Sequence, residues 1–165
     1  MIYFISDTHF YHYNIIKYCD RPFEDIETMN VKMIECWNSV VKEDDIVYFL
    51  GDFGFGDKEM LTNVCSQLNG RKIMLRGNHD LKRGKQSWKD IGFEAVSDKS
   101  IAFQEDIILT HEPIEVDEDI LNIHGHIHNV TLAENFNPNN HFCVSVEMID
   151  YVPITLEQIL RKMSN

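Results

Sequence analysis

The sequence predicts an α/β domain in which two packed sheets are flanked by helices. Short apolar runs rich in Ile, Val, Leu, Tyr and Phe recur along the 165 residues and read as buried strands. In the first half, amphipathic helical patterns separate these runs. In the second half, β candidates follow one another with few helical patterns between them. Alternation followed by a strand-rich half suits two sheets packed face to face with helices outside.

Ile2–Ile5 is the first expected strand and ends at Ser6-Asp7. Glu27–Lys42 follows as a helix, with Val31, Ile34, Trp37, Val40 and Val41 on one side at helical spacing. Asp45–Leu50 is a strand ending at Gly51-Asp52. Lys58–Leu68 is a helix with Leu61, Val64, Cys65 and Leu68 inward, and Gly70 stops it. Lys72–Leu75 is a strand ending at Arg76-Gly77-Asn78. Asn78 or Asp80 can cap a helix over Leu81–Asp90. Phe93–Val96, Ser100–Gln104, Asp106–Leu109, Leu121–Ile123, Val130–Leu132 and Phe142–Glu147 are the remaining β candidates, and Pro138-Asn139-Asn140 is a loop. Thr155-Leu156-Glu157-Gln158 is a capping box that opens a final helix over Thr155–Lys162.

The length suits one domain spanning 1–165, and no repeat, low-complexity tract or linker divides it. Apolar residues at 44% and charged residues at 25% are ordinary for a globular chain. A formal net charge of -12 disfavours a general basic surface for long duplex nucleic acid, although bound cations would offset part of it. Seven of the fifteen basic residues (Arg71, Lys72, Arg76, Lys82, Arg83, Lys85 and Lys89) flank Gly77–Asp80. They are either a solvated face or a local field that draws a phosphate ester inward. Cys19, Cys36, Cys65 and Cys143 are widely spaced, which argues against a disulfide framework or zinc finger, and Cys36 and Cys65 are expected to be buried thiols. Met1–Ile5 is too short for a signal core and no apolar run reaches membrane-spanning length. The expected compartment is reducing and cytoplasmic, with no membrane partner.

Polar residues of ligand type sit just past several strand ends, where sites in open α/β sheets assemble. In Asp7-Thr8-His9, two side chains two positions apart in an extended segment point the same way. A carboxylate and an imidazole then reach one ion together, although Asp-x-His alone is equally a turn. Gly51-Asp52 is weaker alone, but glycine permits a sharp bend and one carboxylate can bridge two cations about 3.5–4 Å apart. In Gly77-Asn78-His79-Asp80, Asn78 offers a neutral oxygen and His79 is free for proton transfer, with Asp80 placed to accept its other N–H. His124-Gly125-His126-Ile127-His128 places three histidines in five residues, a density that packing rarely demands, with Gly125 allowing a tight bend. His111 gains weight from its strand-end position. His12 and Arg21 are candidates to meet substrate, although Arg21 suits a structural salt bridge equally well.

The ordered blocks D-x-H, G-D, G-N-H-D, a single His and G-H-x-H, spanning residues 7 to 128, resemble the calcineurin-like metallophosphoesterase superfamily, and most closely its small, uncapped bacterial and phage-type members. The resemblance implies a four-layer α/β/β/α sandwich with two mixed sheets, the metallo-dependent phosphatase-like fold. It implies one divalent ion held by Asp7, His9, Asp52 and His128. A second would be held by Asp52, Asn78, His111 and His126. It makes His79 the catalytic histidine, with Asp80 behind it; His124 is no ligand in the family and is at most a supporting residue.

The implied reaction is hydrolysis of phosphate esters by a metal-activated hydroxide in line with the leaving oxygen, with His79 as proton donor. A mixed His, carboxylate and amide set suits manganese, iron, zinc, cobalt or nickel, and manganese is the ion expected. The resemblance makes a small phosphodiester, nucleotides included, the expected substrate. The alternatives are a phosphomonoesterase or nuclease of the same superfamily, and a non-catalytic metal-binding scaffold. The presence of every ligand type and of His79 speaks against the last.

Overall fold

The computed structural model describes residues 1–164. It contains two mixed sheets and five helices, the sandwich expected for a metallo-dependent phosphatase-like fold. The first sheet comprises β1 (Ile2–Ile5), β2 (Ile46–Phe49), β3 (Arg71–Leu75), β4 (Ala95–Ser97) and β9 (Ile154–Thr155), in the order β4-β3-β2-β1-β9. β1 to β4 are parallel and β9 runs antiparallel beside β1. The second sheet comprises β5 (Ile101–Gln104), β6 (Ile107–Leu109), β7 (Leu121–His124) and β8 (His141–Cys143), in chain order. Only β5 is antiparallel to its neighbour there.

The helices are α1 (Ile15–Tyr18), α2 (Ile26–Val40), α3 (Lys58–Gln67), α4 (Lys85–Ile91) and α5 (Leu156–Met163). Asp25 caps α2 by accepting Thr28 N–H at 2.7 Å, and Asp57 caps α3 through Met60 N–H at 2.9 Å. The Thr155/Gln158 capping box opens α5 as expected. Leu61, Val64, Cys65 and Leu68 are buried, as the α3 pattern requires. Phe103 of the second sheet packs edge-on to Phe4 and Tyr48 of the first, with centroids 5.2 and 5.3 Å apart, which joins the two sheets.

Five expectations fail locally. α2 turns Met29, Met33 and Trp37 inward, while Val31 is exposed. These three recur every fourth residue and include the bulkiest side chain, so they outcompete a valine for the core. Cys36 is consequently only half-buried. Leu81–Asp90 is broken: Asp80–Lys82 forms a 3-10 turn, and α4 begins only after Gly84. Val130–Leu132 is no strand, because His141–Cys143 takes the register beside β7 and leaves Val130 exposed. The Phe142–Glu147 run pairs with β7 only as far as Cys143. Ser145 then bridges to Ser6, and Val146–Met148 coils as a 3-10 turn. No helix among the described residues is long and apolar enough to cross a membrane.

Candidate metal centre

The strand ends of both sheets meet on one side of the molecule. Past β1 and β2 the loops stay in step: Asp7 N–H donates to Gly51 O, His9 N–H to Asp52 O and Phe10 N–H to Phe53 O, at 2.9, 3.1 and 2.9 Å. Asp7 and His9 therefore stand opposite Asp52. From the second sheet, Gly125 N–H donates to His111 O at 2.9 Å, which joins the end of β6 to the loop after β7. Asp7, His9, Asp52, His126 and His128 all have left-handed backbones, with φ of 57°, 49°, 61°, 70° and 50°. That conformation is disfavoured for side chains bearing a Cβ, and clustering of such residues is typical of functional sites.

Two glycines permit this convergence. Gly51 adopts φ 101°, the sharp bend expected before Asp52. Gly125 serves a different end from the one expected: a Cβ there would collide with Ser6 Oγ and Asp7 Oδ2, and the bend itself falls on His126.

The expected first cluster is brought together. His9 Nε2 lies 4.0 Å from Asp7 Oδ1 and 3.6 Å from Asp52 Oδ2, and His128 Nε2 lies 3.9 Å from Asp7 Oδ1. The second cluster is equally close. His111 Nε2 is 3.6 Å from Asp52 Oδ2, 3.0 Å from Asn78 Oδ1 and 3.2 Å from His126 Nδ1, and that His126 nitrogen lies 3.2 Å from Asn78 Oδ1. Asp52 Oδ2 thus stands between the two groups. His111 Nδ1 is 2.7 Å from Leu50 O, so it carries the proton and leaves Nε2 with its lone pair toward the cluster.

Asp7, His9 and His128 could hold a cation together, and so could Asp7, Asp52 and His111. The fit is supported by what these atoms lack. Asp7 Oδ1 and both ring nitrogens of His9 are buried without a hydrogen-bond partner among the described residues. Each such group costs about 1–3 kcal/mol if left unmet. Asp7 Oδ2, by contrast, is satisfied by His126 N–H at 2.9 Å and Ser145 Oγ–H at 2.8 Å. One oxygen of Asp7 is fixed and the other is free to bind.

The electrostatics agree. Burial, opposed by His111 and reinforced by Asp7, pushes the Asp52 carboxyl up to about 6. Burial and the neighbouring His128 hold His9 far below its ordinary range, so it is a neutral imidazole. Burial alone would lower His128, but its hydrogen bonds to Cys19 and Glu147 and the nearby Asp7 push it up to about 10. A proton on that ring thus offsets carboxylate charge where a cation would.

His79 lies at the mouth. Its side chain is 40% exposed and its Nε2 is 3.9 Å from Asp52 Oδ2. Its backbone N–H donates to Asp52 Oδ1 at 3.0 Å. Burial and the nearby Lys82 lower its pKa. Phe55, at the edge of exposure, has its ring centroid 5.0 Å from that of His79 and is stacked on His12 at 4.1 Å, with Lys82 Nζ 5.4 Å from the Phe55 centroid. His12 therefore lies beside the cluster.

Two expectations are corrected here, and the open reading of the basic strip is narrowed. Asp80 does not sit behind the His79 ring. Its Oδ2 accepts Asp52 N–H at 2.6 Å and Gly77 N–H at 2.8 Å, and its Oδ1 accepts Phe53 N–H at 3.1 Å, so it clamps the two loops that carry Asp52 and Asn78. Arg21 is buried and does not face an incoming ester. Its guanidinium donates to Asp7 O at 2.7 Å, Thr8 O at 2.8 Å and Glu147 Oε1 at 2.9 Å. The basic strip is largely spoken for: Arg71 pairs with Glu94, Arg76 and Lys85 pair with Asp98, and Lys72 is buried against Leu68 and Gly70 carbonyls. Within it, Lys82 is the residue the structure places over Phe55, next to His79.

Glu147 was missed. It ends the Phe142–Glu147 run, so the strand-end reasoning that singled out the other acids applied to it as well. Phe55 carried no usable signal, since a turn aromatic has no periodicity. His124 is buried and bonds Gly125 O through Nδ1 at 2.9 Å, away from both clusters.

An α/β sandwich whose strand ends gather this set of carboxylates, imidazoles and an amide defines a metal-dependent phosphoesterase. The chain belongs to the calcineurin-like phosphoesterase family, whose model matches residues 1–161. It is 40% identical over 168 residues to an uncharacterized protein of Methanocaldococcus jannaschii, covering 97% of this chain and 89% of that one. It is 31% identical over 80 residues to the Gene 66 protein of Mycobacterium phage L5, covering 47% of this chain and 38% of the phage protein. A crystal structure of a protein of unknown function from Aquifex aeolicus superposes with a TM-score of 0.74 at 30% identity, covering 98% of both chains.

Proposed function

We propose that the protein is a binuclear metal-dependent hydrolase of small phosphate esters. The observation that carries this reading is the pair of buried, unpartnered atoms, Asp7 Oδ1 and His9 Nε2, beside Asp52 Oδ2, which stands 3.6 Å from a histidine of each cluster. Asp7, His9, Asp52 and His128 would hold one ion. Asp52, Asn78, His111 and His126 would hold the other, with manganese the first candidate, ahead of iron, zinc, cobalt and nickel. Two bound cations supply charge neutralisation at the phosphoryl group and acidify a water.

The chain's own residues do the rest. His111 and His128 each set Nδ1 against an acceptor oxygen, Leu50 O and Glu147 Oε1, which leaves Nε2 facing the pocket; at His128 the second ring proton would be displaced by a bound ion. His79 is near enough to Asp52 to act over the same phosphorus and exposed enough to meet a departing oxygen, to which its imidazolium gives a proton. Phe55, flanked by His12 and Lys82, gives the organic part of the ester an apolar wall and the phosphate a nearby cation. That wall favours a diester with an aromatic or nucleotide-like group over inorganic-like monoesters.

The test is a panel of phosphomonoesters and phosphodiesters offered to metal-stripped protein with single divalent ions restored. Hydrolysis of diesters restored by manganese is expected. Metal binding with no hydrolysis across the panel would make the chain a scaffold. His79→Ala is expected to keep both ions and lose about 10²–10⁴-fold in turnover.

A further inference from the structure

We propose, on the two-ion reading, that Glu147, fastened by Arg21, is the positioning residue of His128: it fixes which nitrogen of that ring is free to bind a cation and where that nitrogen points. His128 Nδ1 lies 3.0 Å from Glu147 Oε1, and the opposite ring nitrogen, Nε2, faces Asp7 Oδ1 at 3.9 Å. A proton held on Nδ1 by the carboxylate leaves the Nε2 lone pair directed into the pocket. A carboxylate behind a metal-binding imidazole sets its tautomer and orientation in this way.

Glu147 is itself held. Arg21 Nε and Nη2 both reach Glu147 Oε1, at 2.9 and 2.7 Å. The other Arg21 donors go to Asp7 O, Thr8 O and Met29 Sδ, at 2.7, 2.8 and 3.5 Å. One guanidinium therefore ties the carboxylate that aims His128 to the backbone of the segment carrying Asp7 and His9. Three ligands of one ion, from opposite sheets, share a single brace.

The brace is poorly explained by stability alone. The Arg21 side chain is fully buried and that of Glu147 is 5% exposed. Taking both charges from water costs as much as their attraction returns, and apolar pairs of similar volume often serve a fold equally well. What an apolar pair cannot do is accept the His128 proton. Cys19 also lies within reach of His128 and Glu147 and is the competing partner for that ring.

Manganese titration of the metal-stripped full chain by calorimetry, with thermal unfolding of the metal-free protein alongside, tests this. The parent is expected to bind two ions; a parent that binds fewer overturns the two-ion reading itself. Glu147→Gln is expected to weaken one of the two sites about 10–100-fold and to leave the other within a few-fold. The double variant Arg21→Met/Glu147→Leu also leaves Asp7 O and Thr8 O without their donor, so it is expected to melt lower than the parent without metal, and where it still unfolds cooperatively to show the loss at one site. Cys19→Ala is expected to bind both ions as the parent does. Parent-like affinity at both sites in Glu147→Gln and in the folded double variant would overturn the proposal. So would a loss in Cys19→Ala equal to that in Glu147→Gln, or a loss spread evenly over both sites.

Discussion

Replacing Asp80 by alanine separates a loop clamp from a partner of the catalytic histidine. The carboxylate accepts three buried backbone N–H groups, from Asp52, Gly77 and Phe53. Alanine leaves all three without an acceptor, at about 1–3 kcal/mol each. Water entering the space left behind should recover part of this, so a net loss of about 3–5 kcal/mol is expected. For a chain of this length each kcal/mol lowers the melting temperature by about 2–4 °C, which gives a fall of roughly 6–20 °C. The clamp also sets the spacing of Asp52 and Asn78, so metal affinity should fall with stability. Calorimetric melting of metal-stripped protein is the assay. The pH dependence adds a second check. Burial and the charge of Asp52 hold the Asp80 carboxyl up at about 6, above its ordinary 3.8. The fold then holds this proton more tightly than the unfolded chain does, so metal-free stability declines as pH rises from about 4 through 6. Without Asp80 that decline should be shallower, the remainder coming from Asp52. A melting temperature within 2–3 °C of the parent's, with turnover alone reduced, would refute the clamp and restore Asp80 to a place behind His79.

Asp52→Asn should lower occupancy at both metal sites together, since one carboxylate oxygen faces a histidine of each cluster; metal analysis after dialysis checks it, and two ions retained at parent affinity would exclude the bridge. Burial pushes the Cys65 and Cys143 thiols up to about 11, so both should stay protonated and resist alkylation of native protein at pH 8, with labelling read site by site by mass spectrometry. Phe55→Ala should reduce kcat/KM about 2–10-fold for aryl diesters, the loss of one aromatic contact, and leave small alkyl esters nearly unchanged; equal losses on both would remove Phe55 from substrate contact.

Much of the fold was legible because the buried parallel strands announce themselves as uninterrupted apolar runs ending in polar residues. Ile2–Ile5 and Lys72–Leu75 needed nothing more. Val130–Leu132 has the same local composition and fails, because strand identity there depends on a partner, and β8 already occupies the edge of β7. The α2 face was misplaced for a related reason: Val31 and Met33 are both apolar, and only the surrounding layers decide which is enclosed. At the site, residues whose type fits metal chemistry were readable from their position past strand ends. Their supports were not. Asp80 and Arg21 act through backbone amides and carbonyls contributed by distant segments, and Glu147 through the side chains of His128 and Arg21; a single sequence carries no mark of those contacts.

The left-handed backbone at Asp7, His9, Asp52, His126 and His128 has an evolutionary corollary. Each such residue carries a conformational penalty on the order of 1 kcal/mol that glycine would largely escape. A lineage released from its chemistry would gain by glycine only where the lost side chain supports nothing else, as at half-buried His126; at Asp7 and Asp52 the same change would strand the donors their carboxylates accept. Strain could therefore outlive reactivity at most of these places, and an inactive descendant would still carry the bent backbone of its working ancestor.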